Sequence, residues 1–225
     1  MITNKGKMKD KRITILSGHY GSGKTNIAVN IALDLKTRHE RVAVADIDIV
    51  NPYFRTKDSE ELFREKGIRL ICSSYANTNV DIPALPQDIY AITDDRDLYC
   101  VLDVGGDERG ALALGRIAPK IAEENDYEML YVLNTFRPLT RDVESAIEVM
   151  REIEYACKLK FTAVVNNSNL GAESTDEDII KTIPLAKEVA ERAGIPMIYT
   201  TVHTLTDKLT ETGESFRQII LQKHM

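Results

Sequence analysis

The sequence predicts an α/β protein: a doubly wound, mainly parallel seven-stranded sheet with helices on both faces. Three observations lead there. Strand-like runs of five or six residues, apolar almost throughout, alternate with stretches whose apolar residues recur at helical spacing. Strands of that kind belong to a parallel sheet covered on both sides. The first of them runs straight into a glycine-rich turn and then a helix, and two later ones end in aspartate, at the edge where open α/β sheets bind ligands.

Arg12 to Leu16 is the first strand, and Ile27, Ala28, Ile31 and Leu35 are the stripe of a helix opening near Lys24. Arg41 to Asp46 is the second strand. A short helix, Ser59 to Lys66, stops at Gly67, a suitable C-terminal cap, and Ile68 to Cys72 follows as the third strand. Ser73 to Pro86, rich in Ser, Asn, Asp and Pro, is a loop leading to a helical turn at Gln87–Ile92. Leu98 to Asp103 is the fourth strand, Ala111 to Glu124 a helix, and Glu128 to Leu133 the fifth strand. The longest helix is expected within Thr140 to Lys160, where Val143, Ala146, Ile147, Met150, Ile153 and Cys157 share one face. Phe161 to Val165 is the sixth strand. The acidic residues in 173–178 precede a helix ending at Gly194, where negative charge favours the helix start. Ile195 to Thr200 is the seventh strand, and Glu214 to Lys223 is expected to be a short closing helix that packs on the sheet. Its alternative, a membrane-binding amphipathic segment, is weakened by its shortness and slight basicity.

Composition narrows the function classes. The 225 residues are 43% hydrophobic and 28% charged, as in an ordinary soluble domain. Residues 1–11 are expected to form a flexible tail and 12–225 a single nucleotide-binding domain. The net charge of −6 argues against broad nucleic-acid binding, and no apolar run is long enough to span a membrane. Cys72, Cys100 and Cys157 lie far apart and are expected to be reduced core residues, which fits a cytoplasmic protein. The four histidines form no ligand-spaced pair, so a zinc or iron–sulfur site within one chain is not expected.

The chemistry concentrates in three segments. Gly18-His19-Tyr20-Gly21-Ser22-Gly23-Lys24-Thr25 fits the phosphate-binding pattern G-x-x-x-x-G-K-[ST], with the strand before it and the helix after it that the pattern requires. Glycines let successive N–H groups turn inward around phosphate oxygens, and the helix start that contains Asn26 adds unpaired N–H groups and partial positive charge. Lys24 would reach the β- and γ-phosphates, and the Thr25 hydroxyl would bind Mg²⁺. A glycine-rich turn that binds nothing is the bland alternative. The second segment, Asp46-Ile47-Asp48-Ile49-Val50-Asn51-Pro52, leaves an apolar strand with two carboxylates, which are costly to bury without a partner. The third is Asp103-Val104-Gly105-Gly106-Asp107, whose Asp103 would hold Mg²⁺ and whose Gly106 N–H could sense the γ-phosphate. Each aspartate taken alone could equally be a strand-end turn or cap residue.

Together these segments resemble the MinD/ParA/Mrp-like P-loop ATPases, which carry the variant loop K-G-G-x-G-K-[ST]. The element Asp46 to Pro52 is similar to the D-x-D-I-x-G-P of the Mrp-like branch. The resemblance implies ATP and Mg²⁺ as ligands, with Asp48 positioning the attacking water and Asp46 supporting the metal shell. It also implies an adenine-recognising Asn after the sixth strand, which maps to Asn166 or Asn167; turn formation by these residues stays an equal alternative. The family's extra lysine, which reaches across an ATP-sandwich dimer, is replaced here by His19, so the resemblance does not extend to strong hydrolysis by that route. Arg55 and Arg109 are candidate substitutes acting in trans, and the C-x-x-C of Mrp-like cluster carriers is absent. The leading expectation is an ATPase switch working through an ATP-dependent homodimer or a protein partner. The alternatives are a small-molecule ligase of the dethiobiotin synthetase or cobyrinate amidase type, and a nucleotide-bound scaffold that hardly hydrolyses.

Overall fold

The computed structural model describes residues 10–47, 60–72, 87–106 and 108–220. Eight parallel strands form one sheet: β1 (Ile13–Ser17), β2 (Val42–Asp46), β3 (Arg69–Ile71), β4 (Tyr99–Asp103), β5 (Tyr127–Leu133), β6 (Ala163–Asn166), β7 (Met197–Val202) and β8 (Phe216–Gln218), in the order β3-β2-β4-β1-β5-β6-β7-β8. Alternation along the strands sends side chains to two cores. Val42, Val44 and Leu16 meet α1 (Lys24–Lys36) and Phe63 of α2 (Glu60–Lys66) on one face. Ile13, Ile15, Ala43 and Ala45 face the other core, beneath α3 (Ala91–Asp94), α4 (Glu108–Gly115), α5 (Ala118–Glu124), α6 (Val143–Cys157) and α7 (Asp176–Ala193). The chain runs from β1 outward to β2 and β3, returns through β4, and then continues on the other side, so β1 ends in the middle of the sheet.

Four expectations are corrected. Phe216–Gln218 is a strand, the eighth, and not part of a closing helix; it pairs with β7, whose edge would otherwise expose its backbone groups. A short helix, α8 (Asp207–Glu211), precedes it. The helix expected over Ala111–Glu124 is two, because Pro119 in the first turn of α5 has no N–H to continue the ladder. The longest helix is α7, with 18 residues against 15 in α6, despite Pro184 in its interior. Its start carries a capping box between Thr175 and Asp178, so the acidic cluster there does serve capping. Cys100 and Cys157 are buried as expected, while Cys72 is only half-buried; the three form no disulfide. Of the tail expected over residues 1–11, Asp10 and Lys11 are described: Asp10 meets Arg38 at 2.8 Å and Lys11 meets Asp126 at 3.7 Å.

Glu128, near the start of β5, accepts a hydrogen bond from the Thr14 hydroxyl at 2.9 Å. Burial pushes its carboxyl above the ordinary 4.5, and the Thr14 bond offsets only part of that. The folded chain therefore holds this proton more tightly than the unfolded one. The corresponding stability is fully present below 4.5 and is lost as pH rises through the raised folded value. Glu128→Gln should be more stable than the wild type at neutral pH, with the gap closing on acidification. Melting temperatures of both proteins across that range check this, and a gap independent of pH would contradict it.

Candidate functional site

The chain leaves β1 at Gly18 and turns tightly, with the Ser22 N–H donating to the His19 carbonyl at 3.1 Å. Gly23, the cap of α1, has φ +86°, a left-handed conformation that favours glycine, and a Cβ there would stand 2.2 Å from Asn167 Nδ2. The buried Lys24 ammonium curls back over the loop and donates to the carbonyls of Gly18 and His19 at 3.1 and 3.2 Å. Ser22 is buried, and its hydroxyl has no partner among the described residues, an orphaned polar group within the loop. Asn26 stands in the first turn of α1, half-buried, and Tyr20 is exposed. Burial lowers the proton affinity of His19, and the nearby charges of Lys24 and Arg137 lower it further. At neutral pH this imidazole is uncharged and does not supply the charge of a lysine.

Asp46 and Asp103 are register partners at the ends of adjacent strands, and both are buried. The Thr25 hydroxyl donates to Asp103 Oδ2 at 2.6 Å, joining α1 to the end of β4 across 78 positions of sequence. These hard oxygen donors suit Mg²⁺, which binds through one or two carboxylates together with phosphate oxygens and water. Among the described residues there is no group of three or more His, Cys, Asp or Glu able to hold a metal by itself. The two buried carboxylates and the Thr25 hydroxyl fit a metal shared with a phosphate ligand. Beyond β4 the chain presses onto the loop: a Cβ on Gly106 would lie 2.4 Å from the Tyr20 backbone nitrogen. Asp48, Arg55 and Asp107 lie outside the described residues. Arg109 is exposed at the start of α4.

The two asparagines are engaged inside the protein. Asn167 Nδ2 donates to the Ser22 carbonyl at 2.5 Å, and its Oδ1 accepts from Thr201 Oγ1 and from Asn169 Nδ2. Asn166, wholly buried, donates to the hydroxyls of Thr182 and Thr200 at 2.9 and 3.3 Å. In this arrangement Asn167 ties the end of β6 to the phosphate loop.

Residues 13–197 match the family model described as the CobQ/CobB/MinD/ParA nucleotide-binding domain. The chain belongs to that family. No curated protein matches its sequence. Among solved structures, the cell division protein FtsY of Thermotoga maritima is similar at 17% identity and a TM-score of 0.57, covering 88% of this chain and 63% of that one. The signal recognition particle receptor FtsY of Elizabethkingia anophelis in complex with GDP gives 16% and 0.53, with 88% and 59% covered. The signal recognition particle 54 kDa protein of Aeropyrum pernix, also with GDP, gives 15% and 0.53, with 88% and 42% covered. The likeness at these identities concerns the P-loop NTPase fold, and the chain spans less than two thirds of each of those structures.

In this CobQ/CobB/MinD/ParA domain one loop-bound cation escapes the sequence motifs. Arg137, in the turn after β5, donates from Nε to the Gly21 carbonyl at 2.9 Å. Inspecting the end of every strand, and not only those ending in aspartate, would have flagged it. No helix among the described residues is long and apolar enough to cross a membrane.

Proposed function

We propose that this domain is an ATP-dependent switch that hydrolyses Mg-ATP to ADP and phosphate and presents its nucleotide-binding edge to a second copy or a protein partner. The observation that carries the reading is the Thr25–Asp103 hydrogen bond, together with the close approach of Gly106 to Tyr20. These contacts couple the phosphate loop to the segment after β4, so a change at the γ-phosphate can be passed to the surface. Lys24 would bind the β- and γ-phosphates, with the backbone N–H groups of Gly21, Gly23, Lys24 and Thr25 forming the cradle. Mg²⁺, held by Thr25 with Asp103 and Asp46 behind it, would neutralise charge on the phosphates. Asp48 is assigned the orientation of the attacking water from the sequence resemblance alone, and so is the preference for ATP. Asn167 would act through the loop it tethers, whichever base is bound. The apolar side chains of Tyr20, Phe136, Leu139, Leu170 and Leu205 are exposed on loops around this edge, which supports a docking surface there. The reading sets the protein in the cytoplasm, in keeping with cysteines that form no disulfide.

Light scattering on a sizing column with Asp48→Ala, first in Mg-ATP and then in Mg-ADP, tests the switch. The variant should retain bound ATP and elute as a dimer with ATP and a monomer with ADP. A nucleotide-bound monomer in both would remove the homodimer and favour a ligase, or a switch completed by another protein. Titration with GTP alongside ATP decides the base, and tighter binding of GTP would overturn that part of the proposal.

A further inference from the structure

We propose that Arg137 is a second phosphate-binding cation, whose guanidinium contacts the phosphates of the nucleotide held by its own chain beside Lys24. The inference rests on the nucleotide-binding reading and adds a residue that neither the phosphate-loop pattern nor the family resemblance assigns. Position is the first argument. With Nε on the Gly21 carbonyl, the guanidinium carbon lies 3.0 Å from where a Cβ on Gly21 would stand. The outer nitrogen Nη2 lies 3.3 Å from the same point, so the guanidinium already stands against the loop that would hold the phosphates.

Charge is the second argument. Most arginines here are paired with a carboxylate, as Arg12 is with Glu124, Arg38 with Asp10, Arg192 with Glu144 and Arg217 with Asp34. Arg137 has no ion-pair partner among the described residues. Its one hydrogen bond to a neutral carbonyl leaves four of its five N–H donors for other use. Lys24 stands on the same loop, and both charges are near enough to His19 to disfavour its protonation.

The third argument is the base from which the side chain springs. The Arg137 N–H donates to the Asn134 carbonyl at 3.1 Å, and the Thr140 N–H donates to the Arg137 carbonyl at 3.0 Å. Thr140 Oγ1 donates to the Asn134 carbonyl at 2.6 Å, and the Phe136 N–H to Asn134 Oδ1 at 3.0 Å. A turn fixed this way loses little entropy on binding. A planar fork also suits phosphate better than an ammonium, since two parallel N–H groups can meet two oxygens.

The competing role is a clip that fastens the turn to the loop without touching the ligand. Fluorescent ATP, ADP and AMP analogues titrated into the wild type, Arg137→Ala, Arg137→Gln and Arg137→Lys separate the two. Protein concentration is kept where light scattering shows monomer. Arg137→Ala and Arg137→Gln should weaken ATP binding about tenfold or more, the worth of a charge-assisted contact. AMP binding should stay unchanged, and Arg137→Lys should recover part of the loss. Equal losses for ATP and AMP would show a clip, and unchanged ATP binding would show no role; either overturns the proposal. A loss seen only in an assembled form would mean that Arg137 serves another chain's nucleotide, which also overturns it. A wild-type chain that binds none of the three would sink the nucleotide reading itself, whereas tight wild-type binding with Arg137→Ala unaffected sinks only the role of Arg137.

Discussion

Lys24→Met should weaken Mg-ATP binding by about a hundredfold or more while leaving the fold intact. The size follows from the contacts assigned to the ammonium. One charge-assisted hydrogen bond is worth roughly 1.5–3 kcal/mol, and Lys24 would make two, one to each terminal phosphate. About 3 kcal/mol corresponds to a little over two orders of magnitude in the dissociation constant. Methionine keeps the apolar stem and the approximate length, so the buried path along α1 stays filled. The hydrogen bonds given up, to the carbonyls of Gly18 and His19, join groups of the loop itself and hold no strand in place. Calorimetric titration gives the affinity, and thermal denaturation checks the fold. Binding within a factor of a few of the wild type, in a folded variant, would mean that the loop holds no triphosphate.

The phosphate loop was legible because its elements are contiguous: strand, glycine turn, Lys24, Thr25 and helix follow one another, so local pattern and final geometry coincide. The meeting of Thr25 with Asp103 was legible for a different reason. In a parallel sheet every strand delivers its last residue to the same edge, and β4 neighbours β1. What failed was decided by contacts remote in sequence. Phe216, Ile219 and Ile220 have helical spacing, yet the segment becomes β8 because the edge of β7 needs hydrogen-bond partners, which Phe216–Gln218 supply. The helix expected to end at Gly194 was read correctly, since the packing of Ile183, Ala186 and Val189 keeps α7 continuous through Pro184 up to that glycine cap. Arg137 could not be weighed from sequence, since its interest lies in lacking a carboxylate partner and in touching Gly21, 116 positions away. The two asparagines at the end of β6 were singled out only through the family resemblance, as adenine-recognising residues or turn formers. Only the hydrogen bond from Asn167 to the Ser22 carbonyl distinguishes holding the loop from forming a turn.

The fold's own weak point lies at the opposite end of β1. Arg12→Met should destabilise the protein by about 3–5 kcal/mol, the usual cost of removing one partner of a buried ion pair. For a chain of this size that is a fall of roughly 10 °C in melting temperature. Arg12 is 3% exposed and pairs with Glu124 at the end of α5, itself 8% exposed. Its Nη1 also donates to the carbonyls of Ile92 and Leu98, both at 2.8 Å, so one guanidinium gathers α3, α5 and the approach to β4 beneath the sheet. Methionine would fill the space but leave Glu124 buried without its cation and the two carbonyls without their donor. The loss should therefore come mainly from the groups left behind. The double variant Arg12→Met/Glu124→Met separates the terms, because it removes the stranded carboxylate while keeping apolar volume. It should recover a good part of the stability lost in the single variant, measured by chemical denaturation of all four proteins in the cycle. If the double variant is as unstable as the sum of the two singles, the pair is uncoupled, and the cost lies in the carbonyls that Arg12 alone satisfies.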